Sequence, residues 1–326
     1  MEVKIESTLK PKICLLGGTG FVGKHLAAHL CEGGFTLRIP TRRAVRHRDL
    51  QVLPRVELVQ ANVHDSGVLT QLLSGCDVVI NLIAILNERR RGDFENVHVR
   101  LVQHLIEACR ETSVTRVLHM SALHAGDVRA KSIYHRTKGE GENLMHAAAD
   151  LSVTSFRPAV IFGPDDHFFN RFAGLLKTSP GLMPLACPDA KMAPVYVGDI
   201  AHAMHVALRN PDTIGRRYEL CGPNTYTLHQ LVQYTADTLN LKRHIIGLGN
   251  GLSSLQARVM GLLPGKPFSY DNYLALRSDA VCTSGFPPIF EREPTALESI
   301  VPIYLGRDNQ RARLDEARKL ARHTPN

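Results

Sequence analysis

The sequence predicts an α/β protein: a doubly wound parallel sheet followed by a smaller, mixed lobe. Three observations carry this. Short apolar runs alternate with helix-patterned stretches over the first half of the 326 residues. A cluster of glycines, Gly17, Gly18, Gly20 and Gly23, sits where the first apolar run gives way to the first helical pattern. Beyond Val160 the alternation stops, and Pro and Gly clusters take its place at Gly163–Asp166, Ser179–Pro188 and Gly285–Pro288.

The expected strands are Lys12–Leu16, Thr36–Pro40, Val56–Gln60, Asp77–Leu82, Arg116–Met120 and Val153–Val160, each an apolar run of strand length. Between them, helices are expected at Phe21–Leu30, Arg48–Leu53, Ser66–Leu73, Phe94–Thr112 and Tyr134–Ala149. Gly33 and Gly34 follow the first helix, where its C-terminal glycine belongs. In the second half, Thr227 with Gln230 and Thr295 with Glu298 both fit the capping box, in which each side chain satisfies an orphan backbone donor. The chain therefore divides into a dinucleotide-binding domain, residues 1–162 with 193–222 returning to it, and a lobe of residues 163–192 and 223–326 that builds a specificity pocket.

Hydrophobic residues make up 44% and charged residues 21%, ordinary for a soluble globular protein. The net charge of +8 favours anionic partners without choosing among phosphates, nucleic acids and acidic lipids. Nucleic acid is disfavoured, because basic residues do not interleave with aromatics and no reading motif appears. The seven cysteines, Cys14, Cys31, Cys76, Cys109, Cys187, Cys221 and Cys282, are widely spaced and form no C-x-x-C. They read as reduced core thiols, which places the chain in the cytoplasm. Met1–Lys12 has no signal-peptide core, and no apolar run approaches the roughly 20 residues of a membrane span. His25 and His29 share a helix face, but no third ligand accompanies them, so no metal is expected and both read as solvated.

Gly18, Gly20 and Gly23 form G-x-G-x-x-G, and Gly17 adds an overlapping G-x-x-G-x-x-G. The strand before and the helix after favour a pyrophosphate cradle over a flexible loop, since the turn lets backbone amides and the helix N-terminus approach an anion. At the end of the second strand, where an acid would bind a ribose 2′-hydroxyl, stand Arg42 and Arg43. Guanidinium groups there suit a 2′-phosphate, so NADP(H) is expected over NAD(H); the competing reading is a solvated basic loop.

Tyr134 and Lys138 form Y-x-x-x-K, which puts both on one helix face after the fifth strand. Ser121 stands at that strand's carboxyl end, where ligands bind in such sheets. The Lys138 ammonium would favour the Tyr134 phenolate, Tyr134 would exchange a proton with a substrate alcohol or carbonyl, and Ser121 would hydrogen-bond the same oxygen. A surface Tyr–Lys pair beside a buried serine is the bland alternative.

With "GGTGFVG", Ser121, Tyr134-x-x-x-Lys138, "FRPAVIFGPDD" and "PVYVGDIAHAM" together, the chain resembles the short-chain dehydrogenase/reductases along nearly its whole length. It is most similar to their extended or atypical NAD(P)-dependent epimerase/dehydratase-like branch, with a Rossmann fold. "HMSALHA", "YHRTKGEGE", "RPAVIFGP" and "PVYVGDIA" are similar to bacterial relatives of the NADPH-binding accessory subunit of respiratory complex I, a branch also linked to ubiquinone metabolism. The resemblance implies cofactor contacts from Gly17, Thr19, Gly20, Phe21, Val22, Gly23, Arg42, Arg43, Asn62, Val63, Leu82, Ile83, Ala84, Tyr134, Lys138, Pro158 and Ile161. It implies two functions: an oxidoreductase or epimerase-like enzyme on a quinone-related substrate, or a subunit that binds NADPH without turnover. Asn62 stands where many relatives carry an Asp, yet can still hydrogen-bond the adenine. The bulky "NLIAIL" of Asn81–Leu86 argues against nucleotide sugars. The basic stretch Arg307–Arg322 and the apolar Leu252–Gly265 are expected to pack as helices on the second lobe; a membrane surface, peripheral to the inner membrane, is their sharper alternative.

Overall fold

The computed structural model describes residues 10–127, 129–263 and 266–306. Met1–Leu9 and the expected basic helix at Arg307–Arg322 lie outside the described residues. In chain order the first elements are β1 (Lys12–Leu16), α1 (Phe21–Glu32), β2 (Thr36–Thr41), α2 (Arg48–Gln51), β3 (Val56–Gln60), α3 (Ser66–Leu73), β4 (Val78–Asn81), α4 (Asp93–Glu95), α5 (Leu101–Thr112), β5 (Arg116–Met120), α6 (Ile133–Ala147) and β6 (Ser152–Pro158). There follow β7 (Ile161–Phe162), α7 (Phe169–Thr178), β8 (Leu182–Ala186), β9 (Lys191–Met192), β10 (Val195–Tyr196), α8 (Val197–Arg209), β11 (Arg217–Leu220), β12 (Tyr226–Thr227), α9 (Leu228–Thr238), β13 (His244–Leu248), α10 (Asn250–Met260), α11 (Tyr270–Ala275) and α12 (Leu297–Leu305).

Seven strands form a parallel sheet in the order β11-β6-β5-β4-β1-β2-β3, as the β-α alternation requires. The order reverses beside β1, which pairs Ile13 with both Leu37 of β2 and Val78 of β4. That reversal opens a crevice at the carboxyl ends of β1 and β4. Alternate residues of the strands, Cys14, Leu16, Val79, Val117 and Val153, pack in one cluster with Leu69 and Leu72 of α3, Leu105 of α5 and Met145 of α6. The inner strands β1, β4 and β5 are buried on both faces, which is why they read as nearly unbroken apolar runs, whereas the edge strands β3 and β11 are partly exposed.

The chain divides into two units. The first runs to Arg157 and includes Ile200–Tyr218; the second comprises Pro158–Asp199 and the part from Glu219 on. The helix expected over Phe94–Thr112 is interrupted. Between α4 and α5, Asn96–Arg100 forms a π-helical turn, whose extra residue per turn no residue preference announces.

The second unit has its own core, in which Phe162, Phe169, Leu176, Leu231, Val232 and Val301 are buried. Its short pairs are non-local: β8 runs parallel to β13, with Leu182 opposite His244 and Ala186 opposite Leu248. The capping box of Thr227 and Gln230 starts α9 as expected. That of Thr295 and Glu298 does not form. α12 begins at Leu297, and Thr295 instead bonds the buried Asp199 through its backbone N–H (2.6 Å) and hydroxyl (2.9 Å). Two buried polar ties, Asp199 with Arg292 at 2.7 Å and Asp166 with the Tyr304 hydroxyl at 2.6 Å, fix the last described segment.

Two further expectations are corrected. Cys221 and Cys282 are joined in a disulfide, because β11 ends against the segment in which Thr283 donates to Glu219. Cys14, Cys31, Cys76 and Cys109 are free and buried, as read. Helix α10 forms, but it turns the small Ser253 and Ala257 inward and leaves Leu252, Leu255 and Val259 exposed. Among the described residues no helix is long and apolar enough to cross a membrane.

Candidate functional site

β1 ends at Leu16, and the chain turns through Gly17, whose φ of +81° favours glycine. The N–H of Gly18 donates to Leu15 O (3.2 Å) and that of Gly20 to Gly17 O (3.0 Å), so the loop is a fixed turn. Gly20 is the N-cap of α1 and supplies no side-chain cap to the first-turn amides. A Cβ on Gly23 would lie 2.3 Å from Gly17 O, so only glycine lets α1 approach the turn. A Cβ on Gly17 would meet Leu82 and Ile83 at 3.2–3.3 Å. The turn, the start of α1 with Phe21 and Val22, and the end of β4 thus form one cradle, with Thr19 between its glycines. Its uncapped amides and positive helix end fit a pyrophosphate.

At the end of β2, Arg42 and Arg43 are exposed, and the Arg43 N–H donates to the Thr41 hydroxyl (3.4 Å). The first acid downstream, Asp49, is held by Lys24 at 2.6 Å and is taken up there. Asn62 and Val63 follow β3, where the Asn62 side chain accepts from the His64 N–H at 3.4 Å. His64 is less basic than an ordinary histidine, through desolvation and then the charge of Arg42. After β4, the Ile83 N–H donates to the buried Asn81 (3.1 Å), and Ala84 is exposed.

Ser132 caps α6 by accepting from the His135 N–H. From there Tyr134, Lys138 and Glu142 follow at intervals of four residues along one face. Lys138 is buried and donates to Met120 O at 2.6 Å. Burial lowers its pKa to about 8, against the opposing pull of Glu142.

Glu142 is fully buried and was not anticipated. It accepts from the Ser121 hydroxyl (2.6 Å) and from Arg157 Nε (3.0 Å), and Arg217 Nε lies 2.8 Å away. The signal was present in the sequence, one turn beyond Lys138, but its partners lie in three separate segments. The serine hydroxyl has one proton, and it goes to Glu142; toward any other group Ser121 can only accept.

Tyr134 is half-buried, its ring edge-on to Phe94 (6.1 Å) and His98 (5.6 Å). His98, also unanticipated, lies in the π-helical turn. Its Nε2 accepts from the Ile85 N–H (3.2 Å), so Nδ1 carries the proton and donates to the Thr137 hydroxyl (2.9 Å). Burial, then the Lys138 charge, lowers its pKa to about 3 and keeps it neutral. His98 thereby ties the segment after β4 to α6. A Cβ on Gly141 would fall 2.0 Å from His98 O, so α6 lies directly against this turn.

Pro158 and Ile161 belong to the second unit, at the end of β6 and the start of β7. His29 is not a free surface residue: its Nε2 is 3.1 Å from His205 Nδ1. Among the described residues no group of three or more His, Cys, Asp or Glu could hold a metal ion.

Comparison with known proteins bears on the family and the fold. The chain is 30% identical over 293 residues to the rat mitochondrial NADH dehydrogenase [ubiquinone] 1 alpha subcomplex subunit 9, covering 87% of this chain and 77% of that protein. It is 29% identical over 202 residues to the ceramide reductase of Caulobacter vibrioides, spanning 61% of each. In fold it matches a Bacillus cereus UDP-glucuronic acid 4-epimerase variant in complex with NAD and a fluorinated UDP-glucuronic acid. The TM-score is 0.63 and the identity 19%, over 73% of this chain and 86% of that one. Residues 13–221, from β1 to the end of the seven-stranded sheet, match the model of the NAD dependent epimerase/dehydratase family, and the chain belongs to that family.

Proposed function

We propose that the chain binds NADP(H) in the Gly17–Gly23 turn and exchanges a proton between Tyr134 and a substrate alcohol or carbonyl. The observation that carries this is the buried ammonium of Lys138, fixed on Met120 O four residues from Tyr134. A cation held there favours the tyrosinate and lowers the barrier to proton exchange. Ser121, its proton engaged by Glu142, accepts a hydrogen bond from a hydroxyl in the site, so it serves Tyr134 or a substrate alcohol better than a carbonyl oxygen. The nicotinamide, when bound, supplies or takes the hydride. Arg42 and Arg43, with Asp49 taken up by Lys24, support NADP(H) over NAD(H). The apolar Leu82–Leu86 segment supports an apolar, quinone-related substrate.

A second reading is a subunit that holds NADPH without turnover, in a respiratory or quinone-biosynthetic complex at the cytoplasmic side of the inner membrane. The relatives of mitochondrial NADH dehydrogenase favour it, and so does the exposed apolar face of α10, which suits a protein or membrane contact. The experiment is Tyr134→Phe, with NADPH binding measured on the protein and metabolites profiled in a deletion strain rescued by either form. Retained binding with an accumulated intermediate supports chemistry. Full rescue by the variant supports the subunit reading.

A further inference from the structure

The loops after β4 and β5 leave neighbouring strands, since Asn81 pairs with His119, and both emerge at the carboxyl edge beside Tyr134. The first carries three consecutive exposed arginines, Arg89, Arg90 and Arg91. The second carries exposed Arg129 and Lys131. No described residue forms an ion pair or hydrogen bond with the side chains of these five.

The acids of the same loops are engaged elsewhere. One Glu88 oxygen accepts from the N–H groups of Gly92 and Phe94, both at 3.0 Å. One Asp93 oxygen accepts from the N–H groups of Arg89 and Arg90 at 3.0 and 2.9 Å. Asp127 accepts from the Arg129 N–H at 2.8 Å. The carboxylates therefore fasten the backbone, and the guanidinium groups stay exposed, with the Asp93 charge near those of Arg89 and Arg90 but in no ion pair with them. Phe94, at the end of the fastened loop, touches the Tyr134 ring. Two large apolar side chains stand exposed on this edge: Leu86, three residues before the arginines, and Ile133, directly before Tyr134, at 53% and 41%.

We infer that the substrate of the Tyr134 site is an anionic amphiphile, with its phosphate, sulfate or carboxylate on Arg89–Arg91 and its apolar part along Leu86 and Ile133. The inference rests on the reading of Tyr134 as a substrate-facing group. A planar guanidinium donates two parallel hydrogen bonds to such an anion, and three in a fastened loop start with their backbone already ordered. Within the apolar, quinone-related class this narrows the substrate to molecules that also carry an anionic group, which the arginines would pair.

The test compares monododecyl phosphate below its micelle threshold with 1-dodecanol, inorganic phosphate and phosphatidylglycerol vesicles, by calorimetry on the full chain and on R89Q/R90Q/R91Q. NADPH affinity is measured on both proteins in parallel. The expected result is a preference of about tenfold or more for dodecyl phosphate over dodecanol, weakened by salt and lost in the triple variant, with unchanged NADPH affinity. Leu86→Gln should weaken both dodecyl ligands alike. No preference in the wild type, or an undiminished one in the variant, overturns the proposal. So does equal binding of inorganic phosphate, or binding confined to vesicles, which would make the rim a lipid-surface contact. Failure of the wild type to bind NADPH would defeat the cofactor reading alone.

Discussion

The hydroxyl of Ser121 and the carboxylate of Glu142 stand 2.6 Å apart in a site closed to water. The contact joins the end of β5 to the middle of α6, and Arg157 and Arg217 neutralise the charge it encloses.

Glu142→Gln should be strongly destabilising. It leaves two guanidinium groups without their buried counter-charge, a loss of about 3–5 kcal/mol. Ser121→Ala removes one charge-assisted hydrogen bond and should cost about 1.5–3 kcal/mol. Because both act through one network, the double variant should cost less than the sum. Urea unfolding of the four proteins measures this; strict additivity would show that the contact carries no coupling.

Lys138 should make stability rise with pH in an alkaline window. Its pKa is about 8 in the fold and near 10.5 when exposed, so between these values the unfolded chain holds more protons. Burial of the charged form is thus a penalty, complete below about pH 8 and relieved by pH 10.5, worth about 3 kcal/mol. Stability of the wild type relative to Lys138→Met should climb by that order across the window. If the ammonium also holds cofactor, NADPH affinity should fall as pH passes about 8.

His98 should remain neutral, with its proton on Nδ1, throughout the range above about pH 4. Nitrogen chemical shifts of the labelled ring, followed from about pH 8 downward, report this; titration near 6.5 would contradict it. Since its pKa falls to about 3 on folding, the unfolded state gains protons first. Stability from this group is present above pH 6.5 and is lost as pH drops toward 3. His98→Leu strands the Ile85 N–H and should cost about 1–3 kcal/mol.

Arg42→Ala with Arg43→Ala should weaken NADPH by about tenfold or more while leaving NADH nearly unchanged, because only the former carries a 2′-phosphate. Calorimetric titration of both cofactors decides it. An equal loss for both would make these arginines general surface charge.

How far the sequence foretold this molecule depended on how local each feature is. β1, β3 and β5 have the expected bounds: the inner β1 and β5 are buried on both faces, and the edge strand β3 keeps Val56, Leu58 and Val59 partly covered. The glycine turn was legible because its glycines are forced by backbone contacts within a few residues of one another. The pairing of β8 with β13 was not, since its partners, such as Leu182 and His244, lie far apart in the chain and their short runs suit many neighbours. The Cys221–Cys282 bond was invisible for the same reason. Around Tyr134, the helix spacing pointed to Lys138. It could not reveal Glu142 and His98, whose roles are defined by contacts with other segments.

The π-helical turn at Asn96–Arg100 also acts as a phase shifter. By widening the helix for one turn, it lets a nearly continuous rod aim Phe94 and His98 at α6 and still aim Leu101 and Leu105 at the core. Winding all of its residues as regular α-helix would rotate everything before it by about 100° relative to everything after. Either the tyrosine would lose its aromatic neighbours or the core would lose its leucines. The extra residue is therefore carried within this one turn, and both faces of the rod keep their aim.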